Sequence, residues 1–356
     1  MTRDELLDKI RHGVTLTNLD CKGWDLSGLD LSGAVFERVD FSGSLLAHAS
    51  MEDATLSNCT FARADLRHAR LKDARLFRSR LEGARIDHAF VQDVAFMECA
   101  LDDAAFDDAH LERVSFFKCR MHGTRIRTRQ LDRVTFGECE IDGLDCTGAS
   151  LTFATFLRAN LRGVVLTGAR CESTTFMECD LRGMCFASQE LVLCQFTDSR
   201  MDEVDFSDAV LTQSNFKGAT LNAARFAGAN ACATLFPQAQ LAGAVFTGGR
   251  FDQSIWADAK AEGADFSDAS FALSVWHRAR CAGATFARAA LQDADFSHAD
   301  LTRADLRGAQ FLRTRMHRAL QEGAHFSGRG GLIEQDVELH KAQSWSDTRG
   351  SRQAPG

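Results

Sequence analysis

The 356-residue chain has no tyrosine and only two prolines, against 27 phenylalanines and 27 glycines. Phenylalanine without tyrosine fits a dry interior, where a phenol would need a hydrogen-bond partner. No apolar run approaches the length of a membrane span. The opening MTRDELLDKI lacks the apolar stretch of a secretory leader. The 12 cysteines form no CxxC pair and no histidine-spaced zinc pattern. These absences lead us to expect a reduced, cytoplasmic protein without a membrane partner. The charge is mixed, with 41 basic and 49 acidic residues and a net of −8, so there is no basic excess to bind bare nucleic acid. There is no Ser/His/Asp group, phosphate-binding loop or dinucleotide-binding glycine motif. No catalytic residue, cofactor or small-molecule substrate is expected, and the chain is read as a non-enzyme.

What the chain does have is a period of five. From Leu16 to Phe326, residues whose numbers end in 1 or 6 are nearly all Leu, Phe, Met, Ile, Val, Trp or Cys. Ala231, Ala261 and Gln321 are the exceptions. Residues ending in 4 or 9 are mostly Ala, Ser, Cys, Val or Thr. ADLRH at 64–68, ANLRG at 159–163 and ADLRG at 304–308 show the unit plainly. Neither a helix nor a simple strand produces this period.

On these residues the chain resembles the pentapeptide-repeat family, whose consensus is A(D/N)LXX. The resemblance covers the whole span from Leu16 to Phe326. It implies an all-β fold, a right-handed quadrilateral β-helix of four units and 20 residues per turn. The central Leu or Phe and the small residue two before it would point inward, and the other three outward. With coils about 4.8 Å apart, about 15 coils would make a rod roughly 75 Å long. The 20-residue turn has independent support. A Phe recurs every 20 residues from Phe96 to Phe236, followed by Trp256, Trp276 and Phe296, and a second series runs from Phe186 to Phe286. These series should stack on opposite walls. Gly123, Gly143, Gly163, Gly183, Gly243, Gly263 and Gly283 keep the same register and place a type II corner along one edge.

Three regions are expected. Residues 1–13 form an N-terminal cap helix, signalled by Thr2 with Glu5 as a capping box and by Leu6, Leu7 and Ile10 as its apolar stripe. Residues 14–328 form the β-helix. Residues 329–356 form a C-terminal tail: GRGG at 328–331 as a hinge, a helix over 332–342 packing Leu332, Ile333 and Val337, then disorder from Ser344.

Several columns could carry function. His48, His68 and His88 fall 20 apart and are candidates to share a divalent metal, although they read more simply as surface corners. Cys59, Cys99, Cys119, Cys139 and Cys179 share one inward column, where a small hydrophobe is wanted. Arg129 and Gln189 occupy inward slots that suit small residues, so the wall either bulges at Arg129 or supplies a carboxylate. The most informative column points outward: Phe77, Met97, Phe117, Leu157 and Met177, with Gly137 in the gap. Val35, Thr135, Thr155 and Thr175 lie on the same face, which reads as poor in acidic residues. Such a stripe marks a contact surface for a protein partner or a homodimer.

The expected function is therefore a non-catalytic interaction scaffold, a rigid rod binding a protein partner or itself. The opening helix running into GLDLSGAVF at 28–36 is similar to pentapeptide segments of bacterial type VI secretion accessory proteins. The alternative is a mimic of DNA that inhibits or protects DNA gyrase, since pentapeptide proteins of quinolone resistance resemble this chain in fold. A mimic needs a long acidic strip. Here Arg120, Arg162, Arg182 and Arg200 interrupt Asp102, Glu140, Asp142 and Asp180.

Overall fold

In the computed structural model the chain is a parallel β-solenoid of about 16 turns with one short helix at its N-terminus. The structure describes residues 1–129, 131–335, 341 and 345. The chain divides into two compact units. The first is Met1–Arg182 with Gln189–Arg200, and the second is Gly183–Ser188 with the chain from Met201 onward.

The local rule follows from the five-residue unit. An Asp one residue before the central Leu or Phe turns its carboxylate onto the chain ahead. Asp40 Oδ1 accepts from the Ser42 N–H at 2.9 Å, and Asp305 Oδ1 accepts from the Arg307 N–H at 3.0 Å. This side-chain turn bends the backbone where a sheet would otherwise continue. Two residues after the central one, the chain enters the left-handed region at almost every corner. Asp53, His68 and Asn58 do so with φ of +55°, +58° and +54°. Asn and Asp tolerate this conformation best, while other side chains cost about 1–2 kcal/mol there. Glycine is thus only one of several residues that turn the corners. Gly163, expected to share the positive φ of its column, is not among the positive-φ residues, unlike Gly143 at +71° and Gly183 at +69°.

In the first unit the helix Arg3–Arg11 opens with the expected capping box between Thr2 and Glu5. Leu6 is fully buried, and Leu7 and Ile10 are half-buried. Two walls are regular enough to form named sheets. One has nine parallel strands, from Leu16–Thr17 to Thr175–Met177, each paired with the strand 20 residues away. The other has six, from Phe90–Gln92 to Leu191–Val192. Inside, Phe96, Phe116, Phe136, Phe156 and Phe176 stack at centroid spacings of 4.8–5.3 Å. Where Leu56 and Leu76 replace Phe in this column, a void of about 10 Å³ remains, lined also by Met51, Phe61 and Phe96.

In the second unit the ladder continues through single bridges such as Asp205 to Arg225 and Arg225 to Val245. Two aromatic columns stack within themselves and meet edge to face. Phe236 stacks on Trp256 at 4.1 Å, while Trp256 meets Phe266 at 85°. The buried indole N–H groups are satisfied from the inward small-residue slot: Trp256 donates to Ser254 and Trp276 to Ser274, at 2.6 and 2.8 Å.

At the C-terminal end the structure corrects the sequence reading. Leu332–Ile333 is a strand paired with Thr314–Arg315, not the start of a helix. Gly331 reaches it through a φ of +88°, and a Cβ there would lie 2.2 Å from the Phe311 carbonyl oxygen. GRGG therefore ends in a tight, glycine-dependent turn that carries the sheet one strand further. Gln321, the polar intruder of the inward frame, bonds Glu334 at 3.2 Å, and Arg329 bonds both. Lys341, in the expected helix, is helical, and so is Trp345, in the stretch expected to be disordered; Val337 and the other residues of 336–342 lie outside the described residues.

Candidate interaction face

The nine-stranded sheet gathers the outward column on one surface. Its pairing register sets Phe77 beside Met97, Met97 beside Phe117, Phe117 beside Gly137, Gly137 beside Leu157, and Leu157 beside Met177. Met97 and Met177 are 44% and 40% exposed, and Phe77, Phe117 and Leu157 are half-buried. Gly137 does not break the column. A Cβ built on it would sit 2.9 Å from Cδ2 of Phe117, so the Phe117 ring leans over the glycine and covers it. Alongside runs a strip of small residues, Ala95, Ser115, Thr135, Thr155 and Thr175.

The sequence reading of this face as poor in acid is corrected by its edge. The neighbouring corner carries Arg78, Glu98, Lys118, Glu138, Arg158 and Glu178 in alternation. Arg78 bonds Glu98 at 2.8 Å, and Arg158 bonds Glu178 at 2.9 Å and approaches Glu138 at 3.5 Å. Lys118 lies 3.7 Å from Glu138. The cations also reach back over the column, Arg78 above the Phe77 ring at 4.6 Å and Lys118 above Phe117 at 5.3 Å. Arg158 bonding to Glu178 leads the causes that hold that carboxyl below its ordinary value. Exposed pairs of this kind contribute little to stability. Their effect is to border an apolar strip with a fixed order of charge.

His48, His68 and His88 stack face to face, with centroids 4.7 and 5.0 Å apart and planes within 8°. Among the described residues no group of three or more His, Cys, Asp or Glu is arranged to hold a metal. The cysteine column is buried, and each thiol donates to a carbonyl of the preceding coil: Cys119 to Phe96 and Cys139 to Phe116, both at 3.3 Å. Burial pushes the Cys59 and Cys179 thiols up to about 11. At Arg129 the wall bulges. Thr128 takes the inward place, donating to the Ala109 carbonyl at 2.7 Å, and Arg129 is exposed. An open depression of about 440 Å³ lies beside the bulge, lined by Asp108, Arg127, Thr128, Arg129, Thr147 and Gly148. Gln189 is half-buried, and its carbonyl oxygen has no hydrogen-bond partner.

Sequence reasoning missed a second set of exposed apolar residues. Phe153, Leu193 and Leu273 stand at left-handed corners with φ of +52°, +59° and +61°. All three are exposed, Phe153 by 51%, and the Arg133 guanidinium lies 5.2 Å from its ring centroid. Scanning the positions ending in 3 for apolar residues would have found them, because bulky side chains are costly there.

A parallel solenoid with five-residue units, inward Leu or Phe and Asp-turned corners defines a class of repeat protein. The chain belongs to the pentapeptide-repeat family. The pentapeptide repeat region description matches residues 89–166 and 169–246. The description of pentapeptide repeats in eight copies matches segments within 12–91 and also 279–318. Among solved structures, a trypsin-treated form of QnrB1, a plasmid-mediated fluoroquinolone resistance protein, is 21% identical. The match covers 55% of this chain and 95% of that one, with a TM-score of 0.25. HetL, involved in heterocyst differentiation regulation in the cyanobacterium Nostoc, is 19% identical over 94% of this chain and 99% of its own, with a TM-score of 0.15. A pentapeptide repeat protein of the Arabidopsis thaliana thylakoid lumen is 29% identical over 36% of this chain and 68% of its own, with a TM-score of 0.19. A search of curated proteins finds none that matches. Among the described residues no helix is long and apolar enough to cross a membrane.

Proposed function

We propose that the protein is a non-catalytic interaction scaffold whose docking surface is the nine-stranded sheet, with Phe77, Met97, Phe117, Leu157 and Met177 as its contact column. The observation that carries this reading is the continuity of the column. Six successive strands present apolar surface outward, and the one glycine among them is roofed by its neighbour's ring. Contiguous exposed apolar surface on a flat sheet is costly in water unless something covers it. In a bacterial cytoplasm, such a scaffold would suit an accessory of type VI secretion that docks an effector or spike protein. The gyrase-mimic alternative has weaker support, because the charged edge of this face alternates in sign where a mimic needs an acidic strip.

The test compares wild type with Met97→Glu combined with Leu157→Glu, both as the full chain. Each is used to isolate partners from the native cell extract, with folding checked by circular dichroism. The reading expects at least one protein retained by wild type and lost by the variant. Identical retained sets from two equally folded proteins would remove the docking role from this face.

A further inference from the structure

The charge order along the edge and the side-chain sizes along the column share one symmetry. Consider a two-fold axis lying in the face, parallel to the strands and midway between Ser115–Phe117 and Thr135–Gly137. It turns the sheet of a second copy face to face with the first, reverses the order of coils and keeps each column opposite itself. At the charged corner, Lys118 then faces Glu138 of the second copy, Glu98 faces Arg158, and Arg78 faces Glu178. In the apolar column, Met97 faces Leu157, Phe77 faces Met177, and Phe117 faces the position without a side chain, Gly137. Each relation occurs twice. At this corner every charge meets its opposite, and in the column every large apolar residue but Phe117 meets another. Gly137 is roofed by its own chain's Phe117, so the two Phe117 rings come together near the axis, while in the strip of small residues Arg75 faces Thr175.

Two neighbouring placements of the axis fail. Moving it half a coil onto Ser115–Phe117 sets Arg78 against Arg158 and Glu98 against Glu138. Moving it one whole coil toward the N-terminus keeps opposite charges together but sets Glu37 against Met177 and Ser57 against Leu157. The far corner of the face gives two unfavourable oppositions in the chosen register, Arg113 against Arg133 and Asp93 against the exposed Phe153 ring. Both arginines are already paired within their own chain, Arg113 with Asp93 at 2.6 Å and Arg133 with Asp132 at 2.5 Å.

We infer that this sheet is the interface of an antiparallel homodimer, with the two-fold axis between the strands Ser115–Phe117 and Thr135–Gly137. The inference rests on the docking reading above and names the occupant as a second copy of the chain. The six strands from Arg75–Phe77 to Thr175–Met177 that lie opposite one another, spaced about 4.8 Å apart on a wall about 15–18 Å wide, offer on the order of 450–500 Å² per copy, the size of a weak interface and short of the ~800 Å² of a standard one. Apolar contact supplies the affinity, and the alternating charges select the register. A self-complementary patch of this kind closes on itself and does not propagate into filaments.

Three measurements on the purified full chain test it. Light scattering should give twice 39.1 kDa. In a background of Cys185→Ser and Cys232→Ser, the pair Phe77→Cys with Met177→Cys should form a covalent dimer under mild oxidation, and neither single change should. Within one chain these positions are five strands, about 24 Å, apart, beyond the reach of a disulfide. Arg158→Glu should weaken the dimer at least tenfold, and adding Glu98→Arg should restore it. The two side chains lie three strands apart in one chain, so rescue reports on the contact between copies. A monomer at every concentration, a dimer without the 77–177 link, or a failure of rescue overturns the inference. A monomer that still captures a foreign partner through the apolar column would sink the dimer and leave the docking role intact.

Discussion

Replacing Phe156 by Ala tests whether stacked rings hold the first unit together. Phe156 is fully buried between Phe136 and Phe176, at 4.8 and 5.3 Å with planes within 9°. Truncating a buried Phe to Ala costs about 3–5 kcal/mol through lost transfer energy and the residual cavity. Losing two aromatic contacts adds about 1 kcal/mol or more. We therefore expect a loss of about 4–6 kcal/mol. Phe156→Leu is the calibrating variant, because Leu56 and Leu76 already occupy this column and leave a void of only about 10 Å³. It should cost about 1–2 kcal/mol. Urea unfolding followed by circular dichroism measures both. Native-state hydrogen exchange should place the damage in the coils near 136–176, since a solenoid couples only neighbouring turns. A loss below about 1 kcal/mol for the Ala variant, or exchange accelerated equally at 216–296, would refute the packing account.

Three further outcomes are expected. Thr128→Val should destabilise by about 1–2 kcal/mol, because it leaves the buried Ala109 carbonyl without its donor, whereas Arg129→Ala should stay within about 0.5 kcal/mol of wild type; thermal unfolding distinguishes them. Asp305 is held down to about 2, chiefly by Arg307, so its folded value lies below the ordinary 3.8 and its stabilisation is complete above that value and lost as pH falls from about 4 through 2. Acid unfolding of Asp305→Asn should lack that part of the decline, and an unchanged acid profile would contradict the assignment. With a thiol reagent under native conditions, Cys185 should react first and Cys232 more slowly, while the ten buried cysteines should wait for unfolding; rapid labelling of the Cys99–Cys139 column would mean that the coil opens.

The fold was legible because a solenoid repeats its instructions. One five-residue frame assigns nearly every side chain an inside or outside place, and the 20-residue columns follow from it. The face was legible for the same reason, since Phe77 to Met177 share one slot. The rest was hidden where the frame is locally broken or where side chains reach across it. The bulge at Thr128 shifts the wall by one residue, and the frame alone left two outcomes open for Arg129. Leu332 and Ile333 carry no mark separating a last strand from a helix; the pairing with Thr314–Arg315 and the turn at Gly331 decide it. The edge charges were visible one at a time, but their alternation matters only once the sheet register stacks Arg78, Glu98, Lys118 and Glu138 in adjacent coils.

The register of 20 also governs how such a gene can lengthen. Duplicating one whole turn would give each new residue a place already filled by its like, with the inward frame and the corner turns intact. A gain of five residues would keep the interior but move every later column to the next wall. A turn inserted between Met97 and Phe117, to one side of the axis, would therefore leave a foldable protein and yet throw the two halves of the face that match each other out of register. Selection on length in this stretch would then act through what the surface recognises, while the core stayed indifferent to the change.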